Sequence, residues 1–385
     1  MQYRKFKNLG LEVSALGFGA MRLPIKGEDS KNIDEEEAIK MIRHAVDSGV
    51  NYIDTAWPYH GGESEKVVGK ALQDGYRDKV NLATKFTWPW MERELGLKLK
   101  NKEDREEYLN RQLKRLQTDH IDFYLLHGLG KERWDSYKEE ADIIKWLEDK
   151  KEEGKIKHIG FSFHDDFEAF KYIIDDYDGW EFCQIQYNYL DTEYQAGRKG
   201  LKYAAEKDVS VVVMEPLRGG QLAEDPPEGA QEILSDPDID RSPADLALQW
   251  LWNQPEVTTV LSGMSTMEQV EENLESADNS GVDILSKKEL AKVKELARVF
   301  RGPIQCTACN YCMPCPNGVQ IPKIFKLYNN AHVYDNYEEN KERYFEIDEE
   351  KRAGACVNCG VCEEACPQNL GIMSLLKKVA DYFGE

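Results

Sequence analysis

Eight of the nine cysteines lie beyond residue 300, in two runs spaced like metal ligands. The first run is Cys306-x2-Cys309-x2-Cys312-x2-Cys315-Pro316, and the second is Cys356-x2-Cys359-x2-Cys362-x3-Cys366-Pro367. Clustered thiols in a chain that reads as cytosolic point to metal rather than to disulfides. Two-residue gaps let successive thiolates reach neighbouring irons of one cubane. The second run has the full spacing of a [4Fe–4S] segment, with proline after its last cysteine. The first run is one residue shorter in its final gap. Eight thiolates would also make two four-cysteine zinc sites, which is the alternative reading. The ninth cysteine, Cys183, stands alone in an apolar stretch and reads as a buried core thiol.

A second constellation has acid–base chemistry. Asp54, Tyr59, Lys85 and His127 occur in NYIDTAWPYHGG, NLATKF and IDFYLLHG, at or just past the ends of apolar runs. A carbonyl being reduced gains negative charge on oxygen, so a proton donor must stand beside it. Tyrosine alone, with a pKa of about 10, gives up its proton too reluctantly near neutrality. A nearby ammonium stabilises tyrosinate, and a carboxylate keeps that ammonium charged and in place. A histidine can orient the carbonyl or assist the transfer. Singly, a strand-end Asp or Lys is more often a structural ion pair, and a His after YLL a satisfied core residue. Their occurrence together points to a site.

Such a site needs parallel strands to hold it. Apolar runs end at Asp54, Lys85, His127, Ser162, Asn188, Met214 and Leu261, and SALGFG near the start makes about eight. Between them lie amphipathic patterns such as EEEAIKMIRHAVDSG, EDREEYLNRQLKRLQ and PADLALQWLWNQ. This alternation predicts an α/β fold, a (β/α)8 TIM barrel over residues 1–300. No G-x-G-x-x-G follows the first strand, which weakens a doubly wound alternative. Residues 301–385 predict a small, mainly α-helical domain, with helical patterns in IPKIFKLYNNAHVY, NYEENKERYFEI and SLLKKVADYF. A chain of 385 residues suits one large domain plus a small one. The balance of 50 basic and 71 acidic side chains, net −21, argues against nucleic acid and anionic membranes as partners. Without a long apolar run or a secretory h-region, the expected location is the cytoplasm.

From LGLEVSALGFGAMRLP to SGMSTMEQVEENL, residues 3–300 resemble the aldo-keto reductases, with several motifs in family order. The resemblance implies a carbonyl or alcohol substrate and a nicotinamide cofactor. It makes Tyr59 the acid/base, with Lys85 and Asp54 tuning it and His127 positioning substrate. It also lays the cofactor along Gly19, Ala20, Met21 and Asp54, then Ser162 and Gln184. Pro216, Leu217 and Gly219 would cradle the pyrophosphate, and Ser262, Gly263, Gln269, Glu272 and Asn273 would meet the adenosine end. The chain departs from the pattern in two places. Ser162 is followed by Phe163 and His164 instead of Asn, and Met214-Glu215 stands where the family has its stacking aromatic and Ser. The closing motif offers no Lys or Arg for a 2′-phosphate, leaving Arg218 as the nearest basic candidate. NADP and NAD both stay open, and a flavin is the further alternative. Trp57, Trp88 and Trp90 lie in loops beside the proposed site, as pocket walls or as packing.

The cysteine tail resembles the α-helical dicluster ferredoxins. Ligand crossover of that kind puts Cys306, Cys309, Cys312 and Cys366 on one [4Fe–4S] cluster, and Cys356, Cys359, Cys362 and Cys315 on the other. The leading expectation is an oxidoreductase whose tail exchanges electrons with a one-electron protein partner. The competing readings are an electron-transfer protein whose barrel is a docking scaffold, and an active barrel with a purely structural tail.

Overall fold

Eight short apolar segments close into one parallel barrel around a side-chain core. The computed structural model describes residues 1–6, 9–88, 92–224, 226–237, 239–308 and 310–385. An antiparallel hairpin, β1 (Tyr3–Phe6) and β2 (Leu11–Ser14), comes first. The barrel strands follow: β3 (Leu16–Gly19), β4 (Tyr52–Asp54), β5 (Asn81–Phe86) and β6 (Ile121–Leu129). They continue with β7 (Ile156–Phe163), β8 (Phe182–Gln186), β9 (Ser210–Met214) and β10 (Val257–Ser262). The order around the barrel is β10-β3-β4-β5-β6-β7-β8-β9. This is a TIM barrel with helices in the connections, as the alternation predicts.

The hairpin is an addition to the expected elements. Its Phe6 and Val13 are fully buried among Tyr52, Phe123 and Phe182, which lie near the starts of β4, β6 and β8. The Phe6 ring stands 4.9 Å from that of Phe123 and 6.2 Å from that of Phe182. Aromatics from alternate strands thus form one layer that seals the N-terminal mouth. The opposite mouth, at the strand C-termini, is left for chemistry.

Register sets what that mouth presents. Asp54 pairs with Ala83, and Lys85 lies two residues beyond Ala83 on β5. Lys85 pairs with Leu125, and His127 lies two residues beyond Leu125 on β6. Steps of two keep all three side chains on one face of the sheet, rising as a staircase.

The chain divides into two compact units. One comprises Met1–Pro216 with Leu248–Leu285, and the other Leu217–Ala247 with Ser286–Glu385. Hydrogen bonds across the sequence join the second. Arg218 donates to Gln305, and Gln221 Nε2 donates to the Phe300 carbonyl at 3.3 Å. Within this unit, helices Ile321–Val333, Tyr337–Phe345 and Ile372–Phe383 enclose a second core. The last helix buries Ile372, Leu376, Val379, Ala380 and Phe383, spaced three and four apart as a single helical stripe. Among the described residues, no helix is long and apolar enough to cross a membrane.

Candidate active site and metal centre

Asp54 closes β4, and its carboxylate receives the Lys85 ammonium at 2.7 and 2.8 Å. A third donation, to the Thr55 carbonyl at 2.9 Å, fixes the ammonium in direction. Lys85 is fully buried and Asp54 nearly so. Burial pushes the lysine below its ordinary pKa, opposed by the Asp54 charge, and pushes Asp54 up, opposed by Lys85. The pair is therefore a captive charge rather than a surface bridge. Lys85 Nζ lies 4.8 Å from the centre of the Tyr59 ring. His127 faces the same ring edge-on, with ring centres 6.1 Å apart.

Tyr59 begins the short helical turn Tyr59–Gly62, and its neighbour His60 holds that turn. His60 Nε2 accepts the Leu23 N–H at 3.0 Å, so Nδ1 carries the proton donated to the Ser30 carbonyl at 2.6 Å. Behind Lys85, the buried Glu65 carboxylate accepts from Thr84 at 2.7 Å, Gln112 at 2.8 Å and Arg115 at 2.7 Å. Gln112 also donates to the Lys85 carbonyl at 3.0 Å. This buried network fixes the backbone from which the lysine projects. Thr87 is not among the residues the sequence singles out, yet its hydroxyl meets His127 Nδ1 at 2.9 Å. The available signal is its place two residues past Lys85, hence on the same face.

Burial first, and the Lys85 charge second, drive His127 well below the ordinary imidazole value, so it is a neutral ring at physiological pH. His164, one residue past β7, is pushed down to about 4 by burial and then by the Arg133 charge, with the Gln195 hydrogen bond opposing. Both rings are neutral when folded but take a proton below pH about 6.5 once unfolded. The unfolded state then binds more protons, so stability falls on acidification from about 6.5 toward 4. The slope is about 1.4 kcal/mol per pH unit for each histidine. His164→Gln should flatten that dependence by one proton, measured as denaturant midpoints against pH. An unchanged slope would contradict the assignment.

The expected cofactor positions divide between the two units. In the first, Ala20 N–H bonds the Asp54 carbonyl at 2.8 Å, and a side chain at Gly19 would press within 3.2 Å of the Ser262 carbonyl. Met21 continues from there, half-buried. Ser162 Oγ accepts the Gly128 N–H at 2.8 Å. Gln184 sends Nε2 to Met214 Sδ at 3.5 Å, and its buried Oε1 has no hydrogen-bond partner among the described residues. Ser262 Oγ accepts from Asn273 at 2.9 Å, and Gln269 Oε1 accepts the Ser265 N–H at 2.8 Å. Glu272 is exposed on the same helix, Met267–Asp278. Pro216 ends this unit's first segment.

In the second unit, Leu217 and Gly219 belong to a tight turn closed by the Gly220 N–H on the Leu217 carbonyl at 3.1 Å. Arg218, Gly219 and Gly220 there have φ of 49°, 68° and 96°. Arg218 is buried and donates to Gln221 and Gln305, so its guanidinium is committed within this unit. No local pattern signals that contact, since Gln305 is 87 residues away. The cation beside SGMST is instead Arg22. Its stem would lie 3.2 Å from a Cβ on Gly263, and it pairs with Glu215 at 3.1 Å. Trp57 stacks on Tyr108 at 5.2 Å, and Trp88 donates to Glu92 at 2.7 Å, both side chains being buried. Trp90 lies outside the described residues.

The two cysteine runs share one backbone pattern. Residues two and four past each first cysteine are left-handed: Ala308 and Asn310 at 52° and 63°, Asn358 and Gly360 at 56° and 80°. Such turns aim successive N–H groups at one anionic centre. Cys315, Cys356, Cys359 and Cys362 line a single cavity, closed on its inner side by the buried Val319, Ile321 and Leu376. Burial, followed by the charge of Cys356, pushes the Cys362 thiol up to about 11. Thiols so crowded suit irons that would hold them as thiolates, in a centre whose net charge is negative. Cys306, Cys312 and Cys366 pack, part-buried, against the same core. Cys309 lies outside the described residues.

Comparison with known proteins matches this arrangement. The aldo/keto reductase family model matches residues 15–298, and the 4Fe-4S dicluster domain model matches residues 305–370. The uncharacterized oxidoreductase YqkF of Bacillus subtilis is 29% identical over 304 residues, which is 72% of this chain and 92% of that protein. The holo form of the aldo-keto reductase AKR11C1 from Bacillus halodurans superposes with a TM-score of 0.62 at 30% identity, covering 77% of this chain and 96% of its own. An aldo/keto reductase from Klebsiella pneumoniae, in complex with NADP and acetate, gives a TM-score of 0.60 at 26% identity over 77% and 96% of the two chains. By these matches the chain belongs to the aldo/keto reductase family, in the subgroup with a C-terminal 4Fe-4S dicluster domain.

Proposed function

We propose that the barrel, residues 1–300, interconverts a carbonyl and its alcohol with a nicotinamide dinucleotide. On the same proposal, residues 301–385 hold two [4Fe–4S] clusters that exchange electrons with a one-electron partner. The observation that carries the first part is the Lys85 ammonium, held on Asp54 at 2.7 Å and lying 4.8 Å from the Tyr59 ring centre. The nicotinamide, when bound, supplies or accepts the hydride at the carbonyl carbon. Tyr59 gives its phenolic proton to the carbonyl oxygen as charge develops there, and takes it back in the reverse direction. Lys85 favours the tyrosinate that remains, while Asp54 keeps Lys85 charged in a buried place. Neutral His127, steadied by Thr87, offers its other ring nitrogen to orient the substrate oxygen.

Two features support a nicotinamide. The buried Gln184 Oε1, without a partner among the described residues, is an acceptor for an amide N–H, and Gly19 lets the ends of β3 and β10 approach closely. NADP is the coenzyme named for the Klebsiella protein. In this chain, the cation at the expected adenosine end is Arg22, already shared with Glu215. A cation already paired with a carboxylate has only about 1 kcal/mol to offer a 2′-phosphate, so NADPH should be preferred over NADH by less than about tenfold. Fluorescence titration of the anaerobic protein with each coenzyme measures this directly. A preference above a hundredfold would contradict the reading, and failure to bind either would favour a scaffold barrel.

The cluster ligands follow the crossover pattern. The set Cys315, Cys356, Cys359 and Cys362 has its support in the cavity these four line together. The other set is Cys306, Cys309, Cys312 and Cys366.

A further inference from the structure

The cavity lined by Cys315, Cys356, Cys359 and Cys362 has two unlike sides. Its inner side is core: Val319, Ile321 and Leu376 are each about 1% exposed. Its outer side is the turn Val357–Gly360, on which Val357 is 61% exposed and Cys359 is also exposed. Val361, 47% exposed, begins the next helical turn. Apart from Cys359, the described cysteines are buried or half-buried. Few large hydrophobic side chains are exposed among the described residues, and two of them flank this one thiol.

Along the chain from residue 353 to residue 376 the charge has one sign. No Lys or Arg occurs between Arg352 and Lys377, while Glu363 and Glu364 follow Cys362 directly. Glu364 is exposed, and Glu363 accepts the Met373 N–H at 2.8 Å. Lys351 lies near Gly318, and its ammonium is taken by Asp348 at 2.5 Å. An apolar centre with an acidic rim, on a chain of net charge −21, complements a protein with a basic rim around an accessible redox group.

We propose that the Val357–Val361 edge is the electron port of the protein, and that its partner is a basic one-electron carrier protein. This rests on the cluster reading above. In the step concerned, one electron passes from the reduced cluster behind Cys359 to the oxidised centre of the carrier. No bond is made and no proton moves. The small apolar contact sets the approach distance, and the acidic rim steers the encounter.

The test uses anaerobic holoprotein reduced with dithionite and then freed of it. Its oxidation is followed by stopped flow with ferric cytochrome c (a basic haem protein), with flavodoxin (an acidic carrier) and with hexacyanoferrate (a small acceptor). Calorimetry of the oxidised holoprotein with ferric cytochrome c reads binding without electron transfer. Cytochrome c should react faster than flavodoxin at low salt and slow steeply as salt is added. The double variant Val361→Ser, Glu364→Lys should lose about tenfold or more in both rate and affinity for cytochrome c. Its iron content should stay unchanged, and its rate with hexacyanoferrate, a small anion that the added positive charge attracts, should not fall. A two-cluster protein whose affinity and rate ignore both substitutions would overturn this proposal alone, as would a preference for flavodoxin. A protein without iron would overturn the cluster reading and this proposal with it.

Discussion

Tyr59→Phe should bind coenzyme as the wild type does and reduce carbonyl compounds about 10²–10⁴-fold more slowly. The substitution removes one oxygen from a ring that is almost wholly buried, so the turn that carries it should persist. His60 holds that turn through Leu23 and Ser30, independently of the phenol. The loss should fall on kcat, because proton donation matters in the transition state more than in binding. Lys85→Met should also be slow, for a different reason. It leaves the Asp54 carboxylate buried without its cation, so a loss of stability of about 3–5 kcal/mol should accompany the loss of rate. Thermal unfolding of the two variants separates these effects: Tyr59→Phe near wild type, Lys85→Met well below. Full turnover in Tyr59→Phe would remove it as the acid.

The second large effect concerns the tail. Anaerobically prepared protein should be brown, with about eight irons and little zinc, as two cubanes require. Cys359→Ser should lose about half of that iron and keep the barrel folded. Cys359 lies on the rim of its cavity, and no barrel strand depends on it. Its absorption and iron content, read beside coenzyme affinity, distinguish loss of one cluster from collapse of the tail. Full zinc occupancy without an iron chromophore, in protein never given zinc or oxygen, would contradict the assignment.

The barrel is legible in the sequence because its strands are near-continuous apolar runs with polar connections, and a parallel sheet covered on both faces demands that pattern. The ends are less so. The run IDFYLLH predicts a strand that stops at His127, yet β6 continues to Leu129. A register shift falls there, with Gly128 at φ 62° and its N–H on Ser162, so the chain bends without leaving the sheet. The hairpin Tyr3–Phe6 and Leu11–Ser14 is hidden because its four-residue strands give too short an alternation. Asp54, Lys85 and His127 are readable from their strand-end positions. The Thr87–His127, Arg22–Glu215 and Arg218–Gln305 contacts are not, since each depends on which distant segment comes to lie alongside. The cysteine runs carry their chemistry in spacing alone. The ferredoxin resemblance groups Cys315 with the second run, and the cavity that Cys315 lines with Cys356, 41 residues on, joins the same residues.

The most direct measurement is the fate of hydrogen carried by the coenzyme. Anaerobic protein is given the reduced nicotinamide dinucleotide deuterated at C4, each face labelled in turn, with an aromatic aldehyde, and the alcohol is examined by mass spectrometry. The account predicts one deuterium on the carbinol carbon, from one labelled face only, at a rate that Tyr59→Phe lowers by about 10²–10⁴-fold. Alcohol formed without label from either face, or label transfer at the same rate in Tyr59→Phe, would contradict it.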